Sequence, residues 1–119
     1  MSLIEDLNAL GVDTAEGLER VMGDSDLYNM MLGMFVDAIQ SSAITAADFD
    51  GANLEELTRK VHTLKGTTGN LALTPLFKAY NEALGLLRDG KAAQAKAVYE
   101  RMLPVQVKIL DCISRHNGA

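Results

Sequence analysis

The sequence predicts an all-α fold, an antiparallel up-down-up-down four-helix bundle with one or two short extra helices at its N-terminus. Apolar residues recur at steps of three and four along most of the chain, and no stretch alternates with a period of two. Tryptophan is absent and aromatic residues make up only 5% of the chain, so aliphatic side chains are expected to build the core. Short connections between the periodic stretches are typical of helices that pack against their neighbours in sequence.

Two short helices are predicted within about residues 2–23. The first has apolar residues every three to four positions and is expected to stop at Gly11, because glycine readily adopts the left-handed conformation that ends a helix. Thr14 offers a side-chain cap for the second helix, which is predicted to end near Gly23.

Four longer helices follow, each with an apolar face. Their predicted bounds are about 25–45, 53–72, 75–88 and 92–115. On the first of them, the predicted apolar positions are Leu27, Met31, Met34 and Ala38, and a wide stripe is completed by Tyr28, Phe35 and Ile39 beside them. Asn53 with Glu56 resembles a capping box, and Thr74 before Pro75 is typical of a hydroxyl cap followed by proline in the first turn. Pro104 falls within the last helix, on its outward side by spacing.

Composition limits the functional classes. A chain of 119 residues with 48% hydrophobic and 23% charged residues is expected to form one globular domain over 1–119. The net charge of −5 argues against a nucleic-acid partner. Cys112 is the only cysteine, and the sequence shows neither a secretion signal nor an apolar run of membrane-spanning length. A cytoplasmic, monomeric protein without direct membrane contact is therefore expected.

The predicted helix at 53–72 carries the residues that point to a function. Its apolar stripe is Leu54, Leu57, Val61, Leu64, Thr68 and Leu71. His62 follows a stripe residue directly, and a turn of about 100° per residue directs it towards solvent. Gly66 and Gly69 share this outward half, although each glycine costs about 0.5–1 kcal/mol relative to alanine in a helix. We expect them to let another molecule approach the backbone beside the imidazole.

A short motif on this helix resembles the signature of histidine phosphotransfer (HPt) domains of bacterial phosphorelays. The family pattern is a histidine, two residues, lysine, glycine, a small residue and a second glycine seven positions after the histidine. In this chain the matching residues are His62, Lys65, Gly66, Gly69 and the adjoining Asn70. The resemblance extends upstream over Gly11-Val12-Asp13 through Phe35 and covers roughly the whole chain.

The resemblance implies a histidine phosphocarrier. His62 would accept a phosphoryl group from the aspartyl phosphate of a receiver domain and pass it to another receiver. The implied partners are response regulator receiver domains and a hybrid sensor histidine kinase. The domain itself would have no ATP site, no kinase activity and no cofactor or metal, because the receiver supplies Mg²⁺.

The chemistry of a phosphocarrier suggests roles for further residues. A neutral imidazole nitrogen is available near pH 7, and positive charge must balance the moving phosphoryl group. Lys65, one turn from His62, is the first candidate for that charge and Arg59 is the second. Thr58 and Arg59, together with Gly66 and Gly69, are the predicted partner-binding residues.

One position departs from the family pattern. Many members carry Glu or Gln on the next helix, where this chain has Leu84, to hold the second nitrogen of the histidine. Asn81, Glu82 or a water molecule is a possible substitute, and Arg88, one turn beyond Leu84, is a possible extra positive charge.

Simpler interpretations exist for several residues. The chain could be a helical interaction module that docks a signalling partner without phosphotransfer. Met30, Met31 and Met34 are expected mainly as core residues, although their helix could contribute one residue to an apolar area beside the histidine that a receiver would contact. His116 is expected to be exposed and inert in a polar tail, and Cys112 to be buried. No metal ligand lies at a suitable spacing from His62, so a metalloenzyme is not supported.

Overall fold

The computed structural model describes residues 2–42 and 44–116, and over these residues the fold is all-helical with no strand. Position 43 of the predicted third helix, and positions 1 and 117–119 of the predicted domain, lie outside the described residues. The helices are α1 (Leu3–Ala9), α2 (Thr14–Arg20), α3 (Ser25–Ser42), α4 (Leu54–Asn70), α5 (Thr74–Arg88) and α6 (Ala92–His116), with a 3-10 turn at Ala46–Asp50 between α3 and α4.

The core lies between the four longer helices. Helix α4 packs along α5, α5 packs along α6, and α3 contacts both α4 and α6. The largest side chains with almost no exposed surface are Tyr28, Tyr80, Phe35, Leu7, Leu32, Leu73, Leu76, Leu84, Ile109 and Ile113. Within this core the Tyr80 hydroxyl donates a hydrogen bond to Oε1 of Gln106, so a buried polar pair is satisfied where α5 meets α6.

Helix α4 confirms the predicted apolar stripe, since Leu57, Val61, Leu64 and Thr68 are buried. The Asn53 side chain caps its start by accepting a hydrogen bond from the backbone N–H of Glu56. At the other end Ala72 adopts a left-handed conformation (φ +55°), and the N–H of Leu73 returns to the carbonyl of Thr68. This pattern is a Schellman ending without the usual glycine.

The predicted cap at Thr74 is wrong. Helix α5 begins at Thr74 itself with Leu73 at the cap position, and the Thr74 hydroxyl donates to the carbonyl of Ala72. The cap predicted at Thr14 is also wrong, because the carboxylate of Asp13 accepts the capping hydrogen bond from Glu16. In both cases the true cap lies one residue earlier than the hydroxyl.

The packed face of α3 covers only part of the predicted wide stripe. Tyr28 and Phe35 are buried as predicted, and Leu32 is buried with them, whereas Leu27 and Met34 are exposed. The prediction that Leu27 and Met34 belong to the packed stripe is therefore wrong. Two apolar faces lie side by side on this helix, and the core covers only one of them. Helix α3 also ends at Ser42 rather than near 45.

The N-terminal helices are fastened to the connection between α4 and α5. Gly17 of α2 lies against the ring of Tyr28, where an added Cβ would come within 2.6 Å of a ring carbon. The Tyr28 hydroxyl donates to the carbonyl of Leu71 over 2.8 Å, and the N–H of Asp13 donates to the carbonyl of Ala72 over 3.0 Å. These bonds fix α2 beside the end of α4.

The 3-10 turn is held against α6. The rings of Phe49 and Tyr99 pack with centroids 5.1 Å apart, and the Lys96 ammonium pairs with the carboxylate of Asp50. Pro104 lies within α6 and is exposed, as its spacing predicts. Among the helices formed by the described residues, none is both long and apolar enough to span a bilayer.

Candidate functional site

His62 lies on the solvent side of α4. The preceding Val61 is 1% exposed and Leu64 is 2% exposed, whereas His62 itself is an exposed residue. Its ring has no hydrogen-bond or ion-pair partner among the described residues. An incoming molecule can therefore reach the imidazole without first breaking a hydrogen bond or ion pair within the described residues.

His62 borders an open groove with a volume of about 540 Å³. Three helices and the connection between two of them contribute to it. The lining residues are His62, Lys65, Gly66, Gly69 and Asn70 from α4, Ala72 from the connection, Thr74, Phe77 and Lys78 from α5, and Glu16 and Arg20 from α2. The groove thus brings together four of the predicted site residues, which follow one another along a single face of α4.

Positive charge predominates in this groove. Lys65 and Lys78 have no carboxylate partner among the described residues. Arg20 pairs with Glu16 over 2.7 Å, and both side chains are about half exposed. Three cationic groups and one carboxylate therefore surround an exposed imidazole in a chain whose net charge is −5. Such a local excess of positive charge attracts an anionic group to the groove.

The two glycines of the motif have different surroundings. A Cβ added to Gly66 would meet no atom within 4 Å, so the backbone is open there. A Cβ added to Gly69 would lie 3.0 Å from Cδ1 of Phe77 on α5. The prediction that both glycines lie on an unpacked side is therefore correct for Gly66 and wrong for Gly69, whose absent side chain makes room for Phe77.

Four of the predicted site residues do not line the groove. The Thr58 hydroxyl donates to the carbonyl of Leu54 over 2.7 Å, which turns it back onto its own helix. The Arg59 guanidinium lies 3.5 Å from the carboxylate of Glu55, with most of its side chain exposed. Asn81 and Arg88 are exposed on α5, and neither is among the residues around the groove.

Leu84 is 1% exposed and packs in the core, so it offers the imidazole no hydrogen bond. The structure shows no substitute from Asn81 or Glu82, since the ring of His62 has no partner among the described residues.

An apolar surface adjoins the groove on the side of α3. Met30 is 58% exposed and Met34 is 61% exposed, so the expectation that these residues fill the core is wrong for both. A smaller hollow of about 240 Å³ lies between α3 and the end of α4. It is lined by Met31, Met34, Phe35, Ala38, Thr67, Asn70 and Leu71. Asn70 borders both the groove and this hollow. The exposed Met34 therefore belongs to a surface that is continuous with the groove beside His62.

The second histidine of the chain, His116, is exposed as predicted. Its Nε2 lies 2.9 Å from a carboxylate oxygen of Asp6, a contact that the sequence did not indicate. Cys112, one turn earlier, is 1% exposed, and burial followed by the charge of Asp6 raises the pKa of its thiol. A neutral, covered thiol is a poor nucleophile, so cysteine catalysis has no support here.

Sequence reasoning missed the contributions of α2 and α5 to the groove. Arg20, Phe77 and Lys78 reach it because two other helices pack beside the end of α4. No spacing in the sequence relates these residues to His62. Only Pro75 and the short connection after α4 indicate that the first turns of α5 must lie near the end of α4.

Comparison with known proteins adds no relative: no family model, no curated protein and no solved structure matches the chain.

Proposed function

We propose that this protein is a histidine phosphocarrier of the HPt class, with its four longer helices arranged as an antiparallel up-down-up-down bundle. His62 accepts a phosphoryl group from the aspartyl phosphate of a receiver domain and returns it to the aspartate of another. The carrier has no ATP site of its own and works in the cytoplasm, supplied through a hybrid sensor histidine kinase. Its partners are receiver domains, which provide the Mg²⁺.

The observation that carries this proposal is an exposed, unpartnered imidazole in a cationic groove. Lys65 and Lys78 line the groove with His62, and Gly66 leaves the helix backbone bare between them. A phosphoryl group bound to the ring would carry negative charge into this positive surface. Phosphoryl transfer depends mainly on positioning of the reacting groups and on electrostatic stabilisation of the phosphoryl charge. An exposed imidazole beside two lysines supports both requirements.

The transfer step is a displacement at phosphorus. A neutral ring nitrogen of His62 attacks the phosphorus, the N–P bond forms, and the P–O bond to the receiver's carboxylate breaks. The bonding pair of that P–O bond leaves with the carboxylate. The reverse step returns the phosphoryl group to a second receiver. Lys65 and Lys78 stabilise the charge on the phosphoryl oxygens during both steps.

An interaction module without phosphotransfer is the second candidate. The exposed methionines on α3 favour it, because an apolar surface of this kind suits a protein partner whether or not chemistry follows. The two candidates differ in one measurable property, which is a covalent phosphoryl group on His62.

Incubation with labelled receivers tests the proposal. Receiver domains from the source organism, phosphorylated with radioactive phosphate, should transfer an acid-labile, alkali-stable label to the wild-type protein. His62→Gln should receive no label. His116→Gln, which removes the only other histidine, should be labelled normally. Label retained on His62→Gln would refute the site, and binding of receivers without label on the wild type would favour the interaction module.

A further inference from the structure

A second cluster of reactive side chains lies away from the groove, where α1 meets α6. Cys112 and His116 are four residues apart and therefore share one face of α6. Asp6 reaches them from α1, with an oxygen 2.9 Å from Nε2 of His116. One carboxylate oxygen, the sulfur of Cys112 and one ring nitrogen of His116 all lie within 4.8 Å of one another.

We propose that Asp6, Cys112 and His116 form a binding site for a divalent transition metal ion of the Zn²⁺ type. Zinc binds carboxylate oxygen, thiolate and imidazole at about 2.0–2.3 Å in a tetrahedral arrangement, which places two ligand atoms of one ion roughly 3.3–3.8 Å apart. The three atoms of this cluster lie within 4.8 Å of one another, so each pair is within about 1 Å of that separation.

The donor set selects the type of ion. Thiolate and imidazole suit zinc and its neighbours in the transition series, whereas calcium and magnesium take oxygen ligands. A carboxylate, a thiolate and a neutral imidazole balance the charge of a divalent ion, which makes the cluster neutral at a partly covered position. The thiol of Cys112 gives up its proton to water when the ion binds.

The burial of the three residues fits a three-ligand site at the edge of the core, with one coordination position left open to water. Cys112 is 1% exposed, whereas the side chains of Asp6 and His116 are 22% and 27% exposed. The ion would enter from the side of Asp6 and His116 and meet the sulfur beneath them, with a water molecule as the fourth ligand. Bound there, it would fasten α1 to the end of α6, independently of His62 on α4.

Cobalt titration of tag-free protein tests this site. Co²⁺ bound to a thiolate gives a sulfur-to-metal charge-transfer band, and the chain has one cysteine, so the band identifies Cys112 as a ligand. We expect one Co²⁺ per chain and displacement of the band by Zn²⁺. Asp6→Asn and His116→Gln should each weaken binding at least about tenfold, as the loss of even outer partners of a metal site does.

Matched controls keep the result specific. Glu5→Gln changes the neighbouring exposed carboxylate of α1, and His62→Gln removes the other histidine; both should bind Co²⁺ like the wild type. Zn²⁺ should raise the unfolding temperature of the wild type and leave that of His116→Gln unchanged. Absence of the charge-transfer band in the wild type, or unchanged affinity in both Asp6→Asn and His116→Gln, would overturn the proposal.

Discussion

Lys65 and His62 lie one turn apart on α4, and both border the same groove. The ammonium of Lys65 has no carboxylate partner among the described residues, so its charge is available to an anionic group that enters the groove. Lys65 is half-buried where it lines the groove. At this scale the proposed site consists of an exposed imidazole and a nearby cation on one helical face.

Replacing Lys65 by alanine should slow phosphoryl transfer without unfolding the protein. We expect the rate to fall about tenfold to a hundredfold, because removal of one stabilising group from a charged transition state typically costs that much or more. The rate is measured by rapid quenching with a phosphorylated receiver. Lys108→Ala, an exposed lysine on α6, is the matched control and should transfer at the wild-type rate. Equal rates for both variants would remove Lys65 from the mechanism.

Sequence spacing predicts the exposure of His62 but only part of its surroundings. The helical phase relative to Val61 and Leu64 is enough to turn the imidazole outward. Lys78 and Arg20 reach the same groove through the packing of α5 and α2, which depends on contacts between residues far apart in sequence. Local periodicity holds no information about such contacts.

At the scale of the helix, the two glycines of the motif serve different purposes. Gly66 leaves open backbone beside the imidazole, whereas Gly69 lets the ring of Phe77 lie against α4. The first glycine is therefore suited to the approach of another molecule, and the second to the packing of α5. The sequence pattern shows two glycines on one face and cannot distinguish these purposes.

Alanine at each glycine should separate the two purposes. Gly66→Ala should stabilise the protein by about 0.5–1 kcal/mol, because the added methyl group meets no neighbour and glycine is the poorer helix former. Gly69→Ala should lose that gain, since its Cβ would lie 3.0 Å from the ring of Phe77. Urea unfolding measures both. The bulkier Gly66→Leu should fold normally and bind receivers more weakly, and full receiver affinity in that variant would exclude close approach at Gly66.

Helix ends show the same division between local and distant information. Gly11 and Gly23 take positive φ where glycine predicts an ending. Met22 and Ala72 also take positive φ, although neither residue type favours it. At Ala72 the free-energy cost of the left-handed conformation is offset by a tertiary contact, because its carbonyl accepts a hydrogen bond from the N–H of Asp13. A helix end that depends on such a tertiary contact cannot be predicted from the local sequence.

At the scale of the whole molecule, each short N-terminal helix is attached to a different part of the bundle. Helix α2 is attached to the connection that lines the groove, through the N–H of Asp13 at its cap and through the contact of Gly17 with Tyr28 of α3, whose hydroxyl bonds the same connection. Helix α1 meets the end of α6 through the pair Asp6 and His116. The all-helical fold class can be predicted from the periodicity of apolar residues. These two attachments cannot, because they depend on contacts between residues far apart in the sequence.

The tyrosines provide a test of the core as a unit, because Tyr28, Tyr80 and Tyr99 are the only three in the chain and all are buried. Burial, with a smaller effect of the Asp13 charge, raises the pKa of Tyr28 to about 12, and burial also raises the pKa of Tyr80 and of Tyr99. In the unfolded chain the phenols ionise near pH ~10. Because the neutral phenols are favoured in the folded state, their contribution to the free energy of unfolding is complete below that pH. This contribution is lost as the pH rises towards the raised pKa values of the folded protein. Tyrosinate absorbance should appear together with the loss of helical circular dichroism, in one cooperative step. Ionisation of any tyrosine while the helical signal stays intact would show that the phenols are accessible and the described core is too loose.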